Sequence, residues 1–150
     1  MVDRLILAQE VGVRILDGEP IMERIGWNEY WFNIASIVST RATCPRKQVG
    51  CVIVADNRIL STGYNGSEPG EPHCTKVGCD IRSNHCKRAV HAEINALKQY
   101  LQPVLSVRML TSGIGLSMYC TLQPCIKCAR ELKKYLPDMK IYYEEEYDNR

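Results

Sequence analysis

Apolar residues recur along this chain with two different periods, and the places where the period changes mark its elements. Between 27 and 42, Trp27, Trp31, Ile34 and Val38 return at spacings of three and four, the pattern of one helix face. Asn28 is placed to cap that helix, Glu29 and Arg41 suit the two ends of its dipole, and Pro45 stops it. Both tryptophans are expected in the core. From Val49 to Val54 the run is almost continuously apolar, as in a strand covered on both faces. Asp56-Asn57 is a turn pair, and Ile59, Leu60 and Thr62 begin a second strand, so the two runs form a hairpin that ends at Gly63-Tyr64-Asn65-Gly66.

Helical spacing returns from His91 to Tyr100, with Ala92, Ile94, Ala96, Leu97 and Leu101 as helix formers or core residues. Leu116 to Leu122 reads as a strand that delivers the chain to Pro124. A helix follows from Cys125 to Leu136, with Ile126, Ala129, Leu132 and Leu136 on one stripe. Pro137-Asp138 ends it, and Met139 to Tyr143 is the next strand. The stretch 103–110 is apolar without a clear period, and Gly113 and Gly115 mark a turn. Residues 67–90 lack any regular period, because Pro69, Gly70, Pro72 and Gly78 interrupt them. In residues 1–26 the apolar positions Val2, Leu5, Ile6, Val11, Val13, Ile15 and Leu16 are cut by Gly12, Gly18 and Pro20. They read as an N-terminal arm or extension: an extra strand pair and a flexible arm are both open, and an arm that packs on a neighbour is the favoured reading. The organisation is thus an arm, 1–26, and one domain, 27–150, with an irregular insert at 67–90. Strands alternating with helices make that domain α/β.

Composition narrows the class. A chain of 150 residues is long enough for one domain with a core of its own. The formal net charge is only +2, and the basic residues are scattered, which argues against a broad nucleic-acid footprint. No apolar run approaches the ~20 residues that a membrane span needs. Met1-Val2-Asp3-Arg4 leads into a short apolar run that Gln9 and Glu10 end, unlike a secretory leader. The expectation is a reducing cytoplasmic compartment, in which the eight cysteines are metal ligands or free thiols and not disulfides.

Two stretches carry the chemistry. His91-Ala92-Glu93 offers an imidazole and a nearby carboxylate; Pro124-Cys125-Ile126-Lys127-Cys128 offers two thiols one helical turn apart. One histidine and two cysteines form a catalytic zinc set that leaves a coordination position open, where a bound water becomes acidic near neutral pH. Glu93, not needed as a ligand, is then free to carry protons. A lone Cys-x-x-Cys would be modest evidence, and a lone histidine is more often a satisfied core residue. The pair of motifs, in this order, is the signature of zinc nucleobase deaminases. The insert holds a second concentration of soft ligands, His73, Cys74, Cys79, His85 and Cys86, in a segment with too few apolar residues to hold itself. A structural zinc would tie it down, and Cys44 is placed to close that site from the end of the first helix. Buried free thiols are the plainer alternative.

Four stretches together resemble the cytidine deaminase-like zinc enzymes and, within them, the deoxycytidylate (dCMP) deaminases. They are Thr43-Cys44-Pro45-Arg46 leading to Val49-Gly50, then Gly63-Tyr64-Asn65-Gly66, then His85-Cys86 before Val90-His91-Ala92-Glu93, and Tyr119 to Cys128. The resemblance covers roughly residues 27 to 143. It implies a three-layer α/β/α sandwich around a central mixed sheet. It implies catalytic zinc on His91, Cys125 and Cys128, with Glu93 as proton shuttle, and hydrolysis of dCMP to dUMP, the thymidylate precursor, with release of ammonia. Asn65 would contact the deoxyribose and the backbone of Ala92 the pyrimidine. Relatives are commonly hexamers activated by dCTP and inhibited by dTTP with magnesium near the Gly-Tyr-Asn-Gly turn, which would make Gly63, Tyr64, Gly66 and Lys47 effector contacts. A second zinc would take Cys44, Cys74, His85 and Cys86, with His73 or Cys79 able to substitute. The 5′-phosphate needs positive charge, for which Arg46 and Lys47 are candidates, as are Arg41, Arg82 and Arg88, with nothing in the sequence to rank them.

Two other functions compete. A deaminase acting on bases in nucleic acid, or on another cytosine nucleotide, would use the same centre, but the nucleic-acid version calls for a basic track with aromatic residues. A zinc-stapled binding domain without catalysis would close the open coordination position with a fourth side chain.

Overall fold

The computed structural model describes residues 23–82, 85–102 and 115–146. Most of the expected N-terminal arm and the ambiguous 103–114 stretch lie outside them.

A hairpin forms the centre. β1 (Gly50–Ala55) is buried along its whole length, as its unbroken apolar run requires, and β2 (Arg58–Tyr64) runs antiparallel to it. Asp56 and Asn57 make the two-residue turn with φ of 48° and 54°; that turn needs two positive φ values, and Asp and Asn tolerate them better than most residues. The register shifts between Ile53 and Val54, a bulge that adds local twist. β7 (Ser117–Leu122) pairs antiparallel with the other side of β1, and β8 (Lys140–Glu145) lies parallel to β7, giving a mixed sheet in the order β2-β1-β7-β8. Four short strands and a one-turn helix stand outside it: β3 (Gly66–Ser67), α2 (Cys74–Val77), β4 (Ile81–Arg82), β5 (His85–Cys86) and β6 (Ala89–Val90). β3 pairs with β6 and β4 with β5.

Alternation along the strands supplies two apolar faces. Val52, Val54 and Tyr119 face α1 (Trp27–Ser39), where Trp31 and Ala35 are buried against them. Cys51, Ile53, Met118, Cys120 and Leu122 face the other way, onto α3 (Ala92–Leu101) and α4 (Ile126–Tyr135), through Ala92, Ala96, Leu97 and Leu132. Helices on both faces of a mixed sheet make the three-layer α/β/α sandwich. Two glycines let the helices close onto the hairpin. A Cβ on Gly50 would stand 2.0 Å from the Ala35 carbonyl oxygen in α1, and one on Gly63 would stand 2.2 Å from the Ala92 carbonyl oxygen in α3.

Several expectations need correction. The first helix begins from Gly26, and Asn28 does not cap it; the Asn28 side chain accepts a hydrogen bond from the Tyr119 hydroxyl at 2.7 Å. Trp31 is in the core, but Trp27 is 47% exposed and stacks on Trp31 at 5.4 Å. On α4 the buried residues are Cys128 and Leu132, while Ile126 is 71% exposed. Cys51 and Cys120 are opposite each other in the β1–β7 register, wholly buried, with sulfurs 2.9 Å apart as a thiol–thiol hydrogen bond.

Candidate functional site

The two motifs meet where α3 and α4 begin, side by side on one face of the sheet. His91 and Cys125 occupy the N-cap positions of the two helices, and their carbonyls accept the first helical bonds, from Asn95 at 3.1 Å and Ala129 at 2.9 Å. Neither side chain caps its own helix. Both turn toward Cys128 in the first turn of α4. His91 Nδ1 lies 3.6 Å from Cys125 Sγ and 3.3 Å from Cys128 Sγ, and the three ligand atoms form one group. Bonds of ~2.1 and ~2.3 Å at a tetrahedral angle would place nitrogen and sulfur about 3.6 Å apart, so the trio fits a zinc ion as it stands. Pro124 precedes the cap, where its missing N–H is not needed.

Electrostatics points the same way. Burial pushes the Cys128 thiol well up, reinforced by the charges of Glu93 and Cys125, so a cation is required to hold it as thiolate. Burial, with the charges of His85 and Lys127, pulls His91 down, leaving the neutral imidazole that ligates metal. Glu93, in the first turn of α3, is 4% exposed, and burial raises its carboxyl to about 7 even though a hydrogen bond with Cys128 opposes the shift.

A cavity of about 260 Å³ opens onto this centre. His91, Glu93 and Cys125 line it with Ala92, and Val49 and Leu122 add apolar wall. Arg46, Lys47, Asn65, His85 and Gln123 also line it. Sequence reasoning missed Val49, Leu122 and Gln123; only their proximity in space, at the ends of β1 and β7, brings them here. Lys47, expected at an effector site, lines this cavity and pairs with Glu145 at 3.2 Å. Arg82 instead pairs with Asp80 at 3.5 Å. The glycines of the Gly-Tyr-Asn-Gly turn are explained by packing. The space beside Gly63 is filled by the backbone of α3, and that beside Gly66 by Thr43 Oγ1, 2.3 Å from where a Cβ would be. Tyr64 is exposed, and its carbonyl accepts a bond from Asn95 Nδ2 at 2.8 Å. Gly63, Tyr64 and Gly66 are not among the residues lining the cavity.

The insert contains the second group. Cys74, Cys79 and Cys86 bring their sulfurs together, with Cys74 Sγ 3.6 Å from Cys86 Sγ, close to the ~3.8 Å expected of two thiolates on one tetrahedral zinc. Burial raises Cys74, aided by Cys86, and raises Cys79 to about 12, aided by Cys74 and by the charge of Cys44. Burial acts on Cys86 in the same direction, but hydrogen bonds from the Arg88 backbone, the Cys74 thiol and the backbone near Ala89 and Asp80 outweigh it and lower its pKa. Of the expected ligands Cys74 and Cys86 meet here, and the third sulfur is that of Cys79, named above as a substitute. Cys79 is a full member, and Cys44, 6% exposed, stands near Cys79 without joining the tight group. His73 stands at the N-cap position of α2 without a side-chain cap bond and is outside the group, and the His85 ring lies 6.0 Å from that of His91, beside the first trio.

Comparison with known proteins agrees with this geometry. The chain is 38% identical over 126 residues to ComE operon protein 2 of Bacillus subtilis, covering 84% of this chain and 63% of that one. It is 35% identical over 135 residues to the deoxycytidylate deaminase of Mycobacterium phage D29, covering 83% of this chain and 99% of that one. The chain spans under two fifths of the deoxycytidylate deaminase of Saccharomyces cerevisiae, 38% of its length. Among solved structures, the dCMP deaminase of cyanophage S-TIM5 in complex with dCMP and dUMP superposes with a TM-score of 0.66 at 26% identity, covering 84% of this chain and 86% of that one. The profile of the cytidine and deoxycytidylate deaminase zinc-binding region matches residues 25–144. With that match spanning most of the chain and both halves of the metal centre, the chain belongs to the cytidine and deoxycytidylate deaminase family.

Proposed function

We propose that the protein hydrolytically deaminates dCMP to dUMP and ammonia. The observation that carries this reading is the convergence of His91, Cys125 and Cys128 beside a buried, proton-carrying carboxyl, Glu93, on one cavity. Zinc on that trio supplies a Lewis acid that makes a water nucleophilic near neutral pH. Glu93 takes the proton from the attacking water, gives it to N3 of the cytosine ring as C4 becomes tetrahedral, and carries the second proton to the departing ammonia. Burial favours the protonated Glu93 carboxyl and so the return of the proton, while a zinc ion on the trio would favour the carboxylate that accepts it. Ala92 is the first helical residue of α3, so its N–H has no helical acceptor and can donate to the pyrimidine carbonyl. Arg46 and Lys47 bind the 5′-phosphate, and Asn65 adjoins the deoxyribose; all three line the same cavity.

The remaining assignments rest on the same reading. Cys74, Cys79 and Cys86, with Cys44 beside them, hold a second, structural zinc. The protein assembles as a hexamer in the cytoplasm, with dCTP activating and magnesium-bound dTTP inhibiting at the surface turn around Tyr64. A zinc staple without chemistry is disfavoured, because the catalytic group has three ligand members among the described residues and a carboxyl stands beside it.

The test is ammonia release by zinc-loaded protein from dCMP, dCTP, deoxycytidine, cytosine and single-stranded DNA. The expected result is a kcat/KM for dCMP at least tenfold above that for deoxycytidine, since a phosphate makes several charge-assisted bonds. Equal specificity constants would make the protein a nucleoside deaminase, and turnover of the DNA alone would move it to nucleic acid.

A further inference from the structure

The loop from 40 to 49 connects α1 to β1 and brings Arg46 and Lys47 to the cavity, with neither helix nor sheet pairing of its own. One residue across the cavity holds it. Asn65 follows the last residue of β2, just beyond the Gly50–Tyr64 pair that ends the hairpin, and it is 9% exposed. Its Oδ1 accepts the Val49 N–H at 2.8 Å, and its Nδ2 donates to the Lys47 carbonyl at 2.8 Å. Its own N–H donates to the Val49 carbonyl at 3.2 Å, and its carbonyl accepts the Thr43 N–H at 3.1 Å. Thr43 is held again by its hydroxyl, which accepts the Ser67 N–H at 3.1 Å. The start, middle and end of the 43–49 segment thus all bond to Asn65. A side chain with one acceptor and one donor at fixed separation continues the ladder where the backbone hairpin stops.

We propose that Asn65 is a positioning residue for the phosphate end of the substrate: it fixes the 43–49 loop and so sets where Arg46 and Lys47 stand. This rests on the reading of the cavity as a dCMP site. A primary amide carries two donor hydrogens and two acceptor lone pairs, and the loop uses one of each. Contact with the sugar would use the other two, so the two roles differ in which part of the substrate feels their loss. Action through the loop is felt by the phosphate. Direct contact is felt by the sugar 3′-hydroxyl.

The experiment compares wild type, Asn65→Ala and Asn65→Asp as zinc-loaded full chains on dCMP, deoxycytidine and 2′,3′-dideoxycytidine 5′-monophosphate. Asn65→Ala is expected to lower kcat/KM for dCMP by about tenfold or more, mainly through KM. The loss on deoxycytidine should stay under about threefold, and that on the dideoxynucleotide should match dCMP. Asn65→Asp keeps the acceptor for Val49 N–H, sets a carboxylate oxygen against the Lys47 carbonyl and adds a negative charge near the phosphate, so its loss on dCMP should at least equal that of Asn65→Ala, and it serves if the alanine variant does not fold. Equal losses on dCMP and deoxycytidine that vanish on the dideoxynucleotide would overturn the proposal in favour of direct sugar contact. Hydrogen exchange gives a readout independent of turnover: peptides covering 43–50 should lose protection in the variants while those covering 126–135 do not. Unchanged protection at 43–50 would overturn the loop role even if activity falls. A wild type inactive on dCMP would reject the reading of the cavity, and with it the phosphate role, while exchange still decides whether Asn65 holds the loop.

Discussion

Gly63→Ala adds one methyl group where a helix backbone already stands. The new Cβ would lie 2.2 Å from the Ala92 carbonyl oxygen and 2.3 Å from the Ala96 nitrogen, against the 3.4 Å at which ordinary contact begins. Both obstacles are backbone, so no side-chain rotation relieves them, and α3 must retreat from β2 by about 1 Å. Overpacking of this kind costs about 1–3 kcal/mol, which in a chain of this size lowers Tm by about 2–4 °C for each kcal/mol. The retreat also carries His91 and Glu93 away from Cys125 and Cys128, which α4 fixes. A displacement of ~1 Å in a reacting group can lower the rate about 100-fold. Gly50→Ala is the control: its Cβ would meet Ala35 and Ser39 of α1 at 2.0 and 2.5 Å, a clash as severe on the face away from the metal. Thermal melts, zinc content and kcat on dCMP should show both variants destabilised but only Gly63→Ala slow. A Gly63→Ala enzyme within twofold of wild-type kcat despite its lower Tm, or a Gly50→Ala enzyme equally slow, would refute the link between α3 seating and chemistry.

Glu93→Gln should retain the catalytic zinc and lose about 10²–10⁴ in kcat; loss of zinc along with the rate would show that Glu93 is a ligand. In zinc-free protein, the buried Glu93 carboxyl binds its proton more tightly folded than unfolded, so its contribution to stability is full below about pH 4.5 and falls as pH rises toward about 7. That loss is on the order of 2–3 kcal/mol, and urea titrations of the chelated protein and of its Glu93→Gln variant should differ in pH slope over that interval; parallel slopes would remove the burial argument. At the second centre, Cys79→Ser should lower zinc by up to one equivalent per chain while His73→Ala leaves it unchanged, by elemental analysis. The reverse order would restore the histidine to the ligand set.

The hairpin, the strand before Pro124 and the two helix starts could be read from sequence because local patterns determine them. An unbroken apolar run required a strand covered on both sides, and Asp56-Asn57 required a tight turn. The helix faces were harder. On α4 the stripe through Ile126 has proper spacing, but Cys125 and Cys128 must both face His91. Their demand fixes the rotation of the helix about its axis, and Ile126, about 100° around from Cys125, turns outward. Trp27 shares a face with Trp31 by spacing, yet stands at the first residue of α1, stacked on its partner with nearly half its surface open. Periodicity gives the face of a helix; where the layer beneath ends depends on contacts far away in sequence.

The ligand sets show the same limit at closer range. His85 and Cys86 are consecutive, and in sequence they look like two ligands of one site. They form the two-residue strand β5, in which neighbouring side chains point to opposite sides. Cys86 joins Cys74 and Cys79, and the His85 ring lies beside that of His91, while both residues border the cavity. Spacing alone could not divide them, because both residue types bind zinc and both centres lie within reach. The pleat of one short strand makes the division, and it has a mechanical consequence. The segment tied by the insert's thiols is the same segment that leads through β6 into the N-cap of α3, where His91 stands. A metal held by that sulfur cluster would therefore restrain the entry of α3 together with the insert, which has few apolar residues of its own.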